Sequence, residues 1–257
     1  MLLLAPEGLP PEPGALAREL CDRHFGVGAD GLVFLIPAPT GPRMAIFNSD
    51  GSEAAMCGNG IRCLAALAGR EGLLVGERAV VATRSGPREV RLLGGPDPWL
   101  VEVDMGEPRL LEGPDFVDVG GRARPCVTVD MGNPHRVVFL EDLEDLDLAV
   151  SGPALSRGEP GGLNVEFTRV LAPDRLAVKV WERGAGPTLA CGTGACAALV
   201  AASRTGRAAR EARVDLPGGS LDVSWEPGGR VRMTGPAREL FRGTWNPDGG
   251  ARSPGTP

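Results

Sequence analysis

The sequence predicts an α+β fold of two pseudo-symmetric halves, each a curved, mainly antiparallel sheet wrapped around a central helix. Superimposing Cys57 on Cys191 aligns "FNSDGSEAAMCGNG" with "WERGAGPTLACGTG" without a gap. Each loop leads into a small-residue apolar helix, "IRCLAALAG" in the first half and "ACAALVAASRTG" in the second. Strand-like runs separated by Gly/Pro turns surround both helices in matching order, as duplication of a supersecondary unit would leave them.

Residues 14–24, "GALARELCDRH", follow a proline-rich stretch and have the apolar spacing of an amphipathic helix. "DGLVFLIP" (30–37) and "RMAIF" (43–47) read as strands, and a polar loop, "NSDGSEAAMCGNG", separates them from a helix that ends at Gly69. "ERAVVATRSG", "REVRLLGG" and "WLVEVDMG" then read as short antiparallel strands. In the second half "RPCVTVDMG", "HRVVFLEDL", "GLNVEFTRVL" and "RLAVKVWERG" supply strands before the cysteine loop. "ARVDLPGG", "SLDVSWEPGG" and "RVRMTGP" follow the helix, and "VEVDMGEP" falls opposite "VRMTGPA" after a small gap. The boundary lies between Pro108 and Arg122, giving an N-terminal half over 1–115 with the Cys57 loop and a C-terminal half over 116–257 with the Cys191 loop. The tail from about 246, "NPDGGARSPGTP", holds nothing that packs and reads as flexible.

Composition narrows the function. Hydrophobic residues make up 42% of the 257, enough for a substantial core. A formal charge of -6 and only 4% aromatics argue against a nucleic-acid partner. Arg204, Arg207, Arg210 and Arg213 are interleaved with Ala and Glu211 and read as a solvated helix face. No apolar run is long enough for a transmembrane helix, and "MLLLAPEG" lacks a basic start and breaks at Pro6, so it is no secretory signal. The six cysteines have no zinc-like spacing, and His24 and His135 are the only histidines, so free thiols of a cytoplasmic protein fit better than disulfides or metal ligands. A pyridoxal phosphate mechanism lacks its residues: Lys179 is the only lysine, on a strand, and there is no tyrosine. "GVGADG" (26–31) follows a helix rather than a strand, which is the wrong context for a dinucleotide fingerprint. Neither cofactor nor metal is expected.

In each half Cys-Gly-x-Gly stands directly before an apolar helix, as Cys57-Gly58-Asn59-Gly60 and Cys191-Gly192-Thr193-Gly194. First-turn N–H groups there have no intrahelical partner and can hold a carboxylate, while a cysteine at a helix start has its thiolate stabilised. Two such cysteines across one cleft suit inversion at carbon: one thiolate removes an α-proton, the opposite thiol supplies one to the other face, and the roles exchange in reverse. The proton then belongs to the pair rather than to either sulfur. Facing thiols are also expected to join as a Cys57–Cys191 disulfide on oxidation. Cys21, Cys63, Cys126 and Cys196 read as packing residues.

The stretches "DRHFGVGADGL" (22–32), "FNSDGSEAAMCGNGIRC" (47–63), "MGNPH" (131–135), "LNVEF" (163–167), "ERGAGPTLACGTGACA" (182–197) and "LPGGSLDVSW" (216–225) together resemble the diaminopimelate epimerase family. The resemblance spans both halves and implies cofactor-independent interconversion of LL- and meso-diaminopimelate in lysine biosynthesis, by a homodimer. It implies that Cys57 and Cys191 are the acid/base pair. Gly58, Asn59, Gly192 and Thr193 would bind the reacting carboxylate, and Asn48, Asn133, Asn164 and Arg183 would bind substrate, with Arg183 on the distal carboxylate. Glu182 would hold the distal ammonium or orient the cleft, and His135 would lie beside the substrate. The family usually opens with a strand and a "GxGNDF" loop, whereas this chain starts at "MLLLAPEG". It is therefore expected to lack one edge strand and one substrate contact, and an upstream extension is expected to raise turnover. A proline-type racemase of the same fold and a non-catalytic amino-acid-binding protein are the alternatives; solvent exchange of the substrate α-proton separates the second from both enzymes.

Overall fold

A computed structural model describes residues 1–74, 76–95, 98–157, 161–226 and 229–245; the expected flexible tail from about 246 lies outside the described residues. The first half runs β1 (Leu2–Leu4), α1 (Pro13–Cys21), β2 (Gly31–Ile36), β3 (Arg43–Asn48), β4 (Glu53–Ala54), α2 (Gly58–Arg70), β5 (Arg78–Thr83), β6 (Gly86–Gly94) and β7 (Trp99–Gly106). A connecting set follows, β8 (Arg109–Leu111), β9 (Phe116–Val119) and β10 (Arg122–Asp130). The second half continues with β11 (Pro134–Phe139), α3 (Leu148–Ser156), β12 (Asn164–Ala172), β13 (Arg175–Glu182), β14 (Gly186–Thr188), α4 (Gly192–Arg204), β15 (Glu211–Leu216), β16 (Gly219–Trp225) and β17 (Val231–Ala237).

The strand pairings repeat. β1 runs parallel to β2, β2 antiparallel to β3, β3 parallel to β5, and β5–β6–β7 are antiparallel. In the same order β11 is parallel to β12, β12 antiparallel to β13, β13 parallel to β15, and β15–β16–β17 are antiparallel. β7 and β17 pair with each other, Val103 opposite Met233, and so join the halves. Registers match as well: Val33 faces Ile46 as Glu166 faces Val180. The pseudo-symmetric, mainly antiparallel α+β fold is thus present.

Each sheet wraps a helix. α2 buries Ile61, Leu64, Ala65 and Ala68, whereas α4 is buried on all sides from Gly194 to Ala202. Burying a side chain such as Ile61 or Leu64 is worth about 1.5–3 kcal/mol, so this core is the main support for the helix starts that carry the cysteines. Strand alternation then sorts the neighbours. Val178 and Val180 point into the main core with α4, while Ala177 and Trp181 pack outward with Val165 and Phe167.

Several elements differ from expectation. α1 ends at Cys21 because the Asp22 carboxylate accepts from the His24 and Phe25 N–H groups (2.7 and 2.8 Å) and turns the chain. α3 was not expected: it has no helical apolar period and contains Gly152 and Pro153. It forms because Asp147 caps it, accepting from Val150 N (3.1 Å), and because Gly152 leaves room for the Trp181 ring, which a Cβ would meet at 2.5 Å. Leu2–Leu4 form a strand, with the Met1 amino group donating to Gly31 O (3.0 Å). The arginines read as one helix face are spread over three settings: Arg204 ends α4, Arg207 and Arg210 lie over Phe139 and Trp225, and Arg213 is in β15. The alternation of "Val-Asp-Met-Gly" ends in a tight turn twice, at Gly106 (φ 91) and Gly132 (φ 95), where the Asp104 and Asp130 carboxylates accept from those glycine N–H groups.

The matched helix positions Gly60 and Gly194 supply a stability test. Alanine favours a helix interior over glycine by about 1 kcal/mol. A Cβ at Gly60 meets Val33 Cγ2 and Met44 Cε at 3.1 and 3.2 Å, but at Gly194 it meets Glu166 Oε1 at 2.5 Å. We expect Gly60→Ala to be near neutral and Gly194→Ala to destabilise by about 1–3 kcal/mol, read from denaturant midpoints at unchanged m. Equal midpoints for the two variants would contradict the packing difference.

Candidate active site

Both cysteines sit where sequence placed them, as N-caps. Cys57 has φ -140 and ψ 118 and its sulfur accepts from Gly60 N; Cys191 has φ -123 and ψ 115 and accepts from Gly194 N, each at 3.4 Å. The two helix starts meet end to end. A Cβ on Gly58 would lie 3.3 Å from Gly192 Cα, and one on Gly192 would lie 3.3 Å from Gly58 Cα. Only glycine permits this approach, and Met105 and Met233 close its apolar side. The positive ends of two helices therefore converge on one spot, with a sulfur from each.

Six further expected residues join this cluster or the loops beside it through hydrogen bonds or charge. Asn59 Nδ2 donates to Ala190 O (3.2 Å), tying one cysteine loop to the other across the halves. Thr193 Oγ1 is 3.4 Å from Cys191 Sγ. Glu182, held by Thr188 Oγ1 at 2.6 Å, acts on the Cys191 thiol by charge. Asn164 Nδ2 donates to Pro134 O (3.2 Å) and its Oδ1 accepts from Arg183 N (2.9 Å), linking the Asn133–His135 turn to the start of the Arg183 loop. Asn133 Oδ1 lies 3.0 Å from His135 Nε2.

Two expected residues make only local contacts. The Asn48 amide donates to Ser52 Oγ (3.0 Å) within its own turn, at the strand end that matches Glu182 in the other half. The Arg183 guanidinium donates to Gly161 O and Gly162 O (2.9 and 3.2 Å), beside a cavity of about 600 Å³ lined by Trp181, Arg157 and Gly186. Lys179 donates to Leu143 O (2.6 Å), and its place in β13 between Val178 and Val180 points it away from α4.

Two residues not singled out from sequence belong here. Glu166, in the apolar run of β12, is fully buried; its Oε1 is 2.7 Å from His135 Nδ1, and its Oε2 has no hydrogen-bond partner among the described residues. Burial pushes its carboxyl up, against the opposing influence of His135. Arg62, on the buried face of α2, donates to Asn59 Oδ1 (3.0 Å) and Gly58 O (3.2 Å). Burial pulls its guanidinium down, and the nearby Cys63, Cys57 and Cys196 sulfurs act against that. A charged residue on an apolar face was the available signal in both cases.

The electrostatics correct one expectation. A helix start was expected to favour thiolate, yet the Cys191 thiol is pushed well above its ordinary value. Burial is the largest cause, the Glu182 and Glu166 carboxylates add to it, and the hydrogen bonds from Thr193 and Gly194 only partly offset them. That environment favours the protonated thiol at Cys191. Burial also raises Cys63, and it pushes Cys196 up to about 12, in keeping with packing roles.

A family model described as diaminopimelate epimerase matches residues 6–111 and 127–240. The diaminopimelate epimerase of Desulforudis audaxviator is 49% identical over 255 residues, covering 93% of this chain and 92% of that protein. That of Pelotomaculum thermopropionicum is 46% identical over 249 residues, covering 91% and 89%. Among solved structures, a PhzF-family phenazine biosynthesis protein of Bacillus anthracis shares the fold with a TM-score of 0.68 at 15% identity, covering 91% of this chain and 88% of its own.

The buried thiols make a pH prediction. With no tyrosine and a single lysine, thiols dominate titration between pH 9 and 12. A thiol whose folded value is raised contributes stability that is complete below its unfolded value and is lost as pH climbs towards the folded one. Unfolding free energy should therefore be level to about pH 8 and then fall by up to about 1.4 kcal/mol per pH unit for each thiol still protonated. Cys196→Ala should remove up to that much of the slope in denaturant titrations under reducing conditions. An unchanged slope would place the alkaline lability elsewhere.

Proposed function

The chain belongs to the diaminopimelate epimerase family, and from that premise we propose that Cys57 and Cys191 are the opposed acid and base of its reaction. The enzyme converts LL-diaminopimelate to meso-diaminopimelate in lysine biosynthesis. The observation that carries the residue roles is the end-to-end meeting of α2 and α4, each with a cysteine as N-cap.

The chemistry follows from that placement. The substrate α-carbon lies between the sulfurs with its carboxylate at the two helix starts. One sulfur, as thiolate, takes the α-proton: the C–H bond breaks and an S–H bond forms. Charge passes into the carboxylate as the carbon flattens. The N–H groups of the Gly58–Asn59 and Gly192–Thr193 turns, with the Asn59 and Thr193 side chains, stabilise it there. The opposite thiol then gives its proton to the other face, and the first sulfur leaves protonated. Burial, with the Glu182 and Glu166 carboxylates beside it, favours the protonated form of Cys191, which suits it to the donor role.

The distal end is read from the strand ends. Asn133 and Asn164, joined through the Pro134 carbonyl and the Arg183 backbone, frame a polar wall. We assign the distal carboxylate to the Arg183 guanidinium, which needs to leave the Gly161 and Gly162 carbonyls to reach it, and to Asn48 from the facing strand end. Glu182 holds or orients the distal ammonium, and His135 buttresses Asn133. The relatives at 46% and 49% identity favour diaminopimelate over a proline-type substrate. A homodimer, implied by the family resemblance, is the assembly we propose, with division into halves near 115.

Proton NMR of LL-diaminopimelate with reduced protein in D₂O should show loss of the α-proton signal together with the meso isomer. Cys57→Ser and Cys191→Ser should each lower turnover by about 10²–10⁴-fold. A serine variant epimerising at the native rate would remove that cysteine from the mechanism. Mild oxidation should link Cys57 to Cys191 and stop turnover, reversibly with a thiol reductant; peptide mass spectra showing only other pairings would reject the facing arrangement.

A further inference from the structure

Arg62 stands where the duplication breaks. Superimposing the two cysteine loops places it opposite Cys196, so one helix carries a buried cation where the other carries a buried thiol. Among the described residues no carboxylate forms an ion pair with this guanidinium, although only 7% of Arg62 is exposed. A buried charge without a counter-ion is costly and needs a reason. Its partners are Asn59 Oδ1 (3.0 Å) and Gly58 O (3.2 Å) at the meeting of the helices and, from β17, Pro236 O (3.5 Å) and Met233 Sδ (3.8 Å).

The guanidinium has donors only, so it selects the oxygen of the Asn59 amide. That leaves the Asn59 nitrogen to face the other way, where it donates to Ala190 O (3.2 Å), the carbonyl just before Cys191. A continuous chain of guanidinium, amide and carbonyl thus runs from the interior of α2 to the peptide that leads into α4. The second hydrogen of the same amide remains for an anion at the helix starts.

We propose that Arg62 is a positioning residue for the epimerisation, latching the Cys57 loop to the Cys191 loop through the Asn59 amide and presenting an N–H rather than an oxygen to the substrate carboxylate. This rests on the reading of Cys57 and Cys191 as the acid/base pair. Without the guanidinium the Asn59 amide is free to turn over, pointing its oxygen at the carboxylate and releasing Ala190. The carboxylate then meets an oxygen in place of an N–H, and the α-carbon is no longer held midway between the sulfurs. Proton removal by one side is no longer matched by delivery from the other. Substrate returns to its original configuration after its proton has exchanged with solvent.

The test uses the full chain, LL-diaminopimelate and D₂O, with rates and the configuration of α-deuterated product both followed. Arg62→Met should lower kcat by about 100-fold, the effect of removing one preorganised donor, with the larger loss in kcat than in KM. It should also raise the share of α-deuterated material recovered as the LL isomer, which a general loss of stability would not do. Arg62→Lys, which keeps the charge and one donor but loses the fork, should lie between the native chain and Arg62→Met in both kcat and LL recovery. The double variant Asn59→Ala/Arg62→Met should be within about threefold of the slower single variant, since the two act as one unit. A folded Arg62→Met with native kcat and native LL recovery overturns the proposal, as does a double variant losing the product of the single losses. If Arg62→Met does not fold, Arg62→Lys decides, since it lacks the guanidinium's fork: raised LL recovery supports the latch and a native ratio rejects it. Native turnover by Cys57→Ser or Cys191→Ser would instead overturn the cysteine reading beneath it, whatever Arg62 does.

Discussion

The approach of Gly58 to Gly192, at 3.3 Å between the place of one Cβ and the other's Cα, sets the distance between the helix starts and with it the geometry of the whole site. Any side chain at either position would push the helices apart. Because the apolar bodies of α2 and α4 are locked into their sheets, the contact cannot be made by a loop drifting inward; it is made by rigid elements meeting at their ends. β7 and β17 hold the halves in register across their own pairing.

Duplication explains how such a site is built, and departures from it explain how it is used. Two equal halves would present equal sulfurs. Here Glu166 takes the place of Val33, and Arg62 the place opposite Cys196. The carboxylates near Cys191 favour a thiol there, while the cation lies on the other helix. Low dielectric makes these few groups count far more than the many surface ion pairs, such as Arg23–Asp30, whose side chains stand largely in solvent. Gly194 is the structural counterpart of this asymmetry, since it leaves room for the Glu166 carboxylate where Gly60 leaves room for a methyl group.

Much of this was legible in the chain. The pairing of "CGNG" with "CGTG" located both helix starts and both cysteines, because N-caps and turn glycines are local requirements of the backbone. Strands with clear alternation, such as "RLAVKVWE", were found within a residue or two. α3 was missed because its residues have no period to read and its helix depends on Trp181 filling the space over Gly152. Glu166 and Arg62 were passed over because a charge inside an apolar pattern looks like an exposed position until its partners are known. Asn48 and Arg183 were recognisable as polar residues near strand ends, but their side chains here bind Ser52 and the Gly161 and Gly162 carbonyls.

The sequence by itself determined the duplication, the two cysteine N-caps and the family, since each depends on residues close together in the chain or on likeness to relatives. The tertiary structure alone decided that the two helix starts touch, that Glu166 bears on Cys191, and that Arg62 reaches Asn59 and through it Ala190. Those outcomes depend on which elements the sheets carry into contact. They also depend on desolvation, which turns ordinary side chains into strongly coupled ones only once water has been excluded.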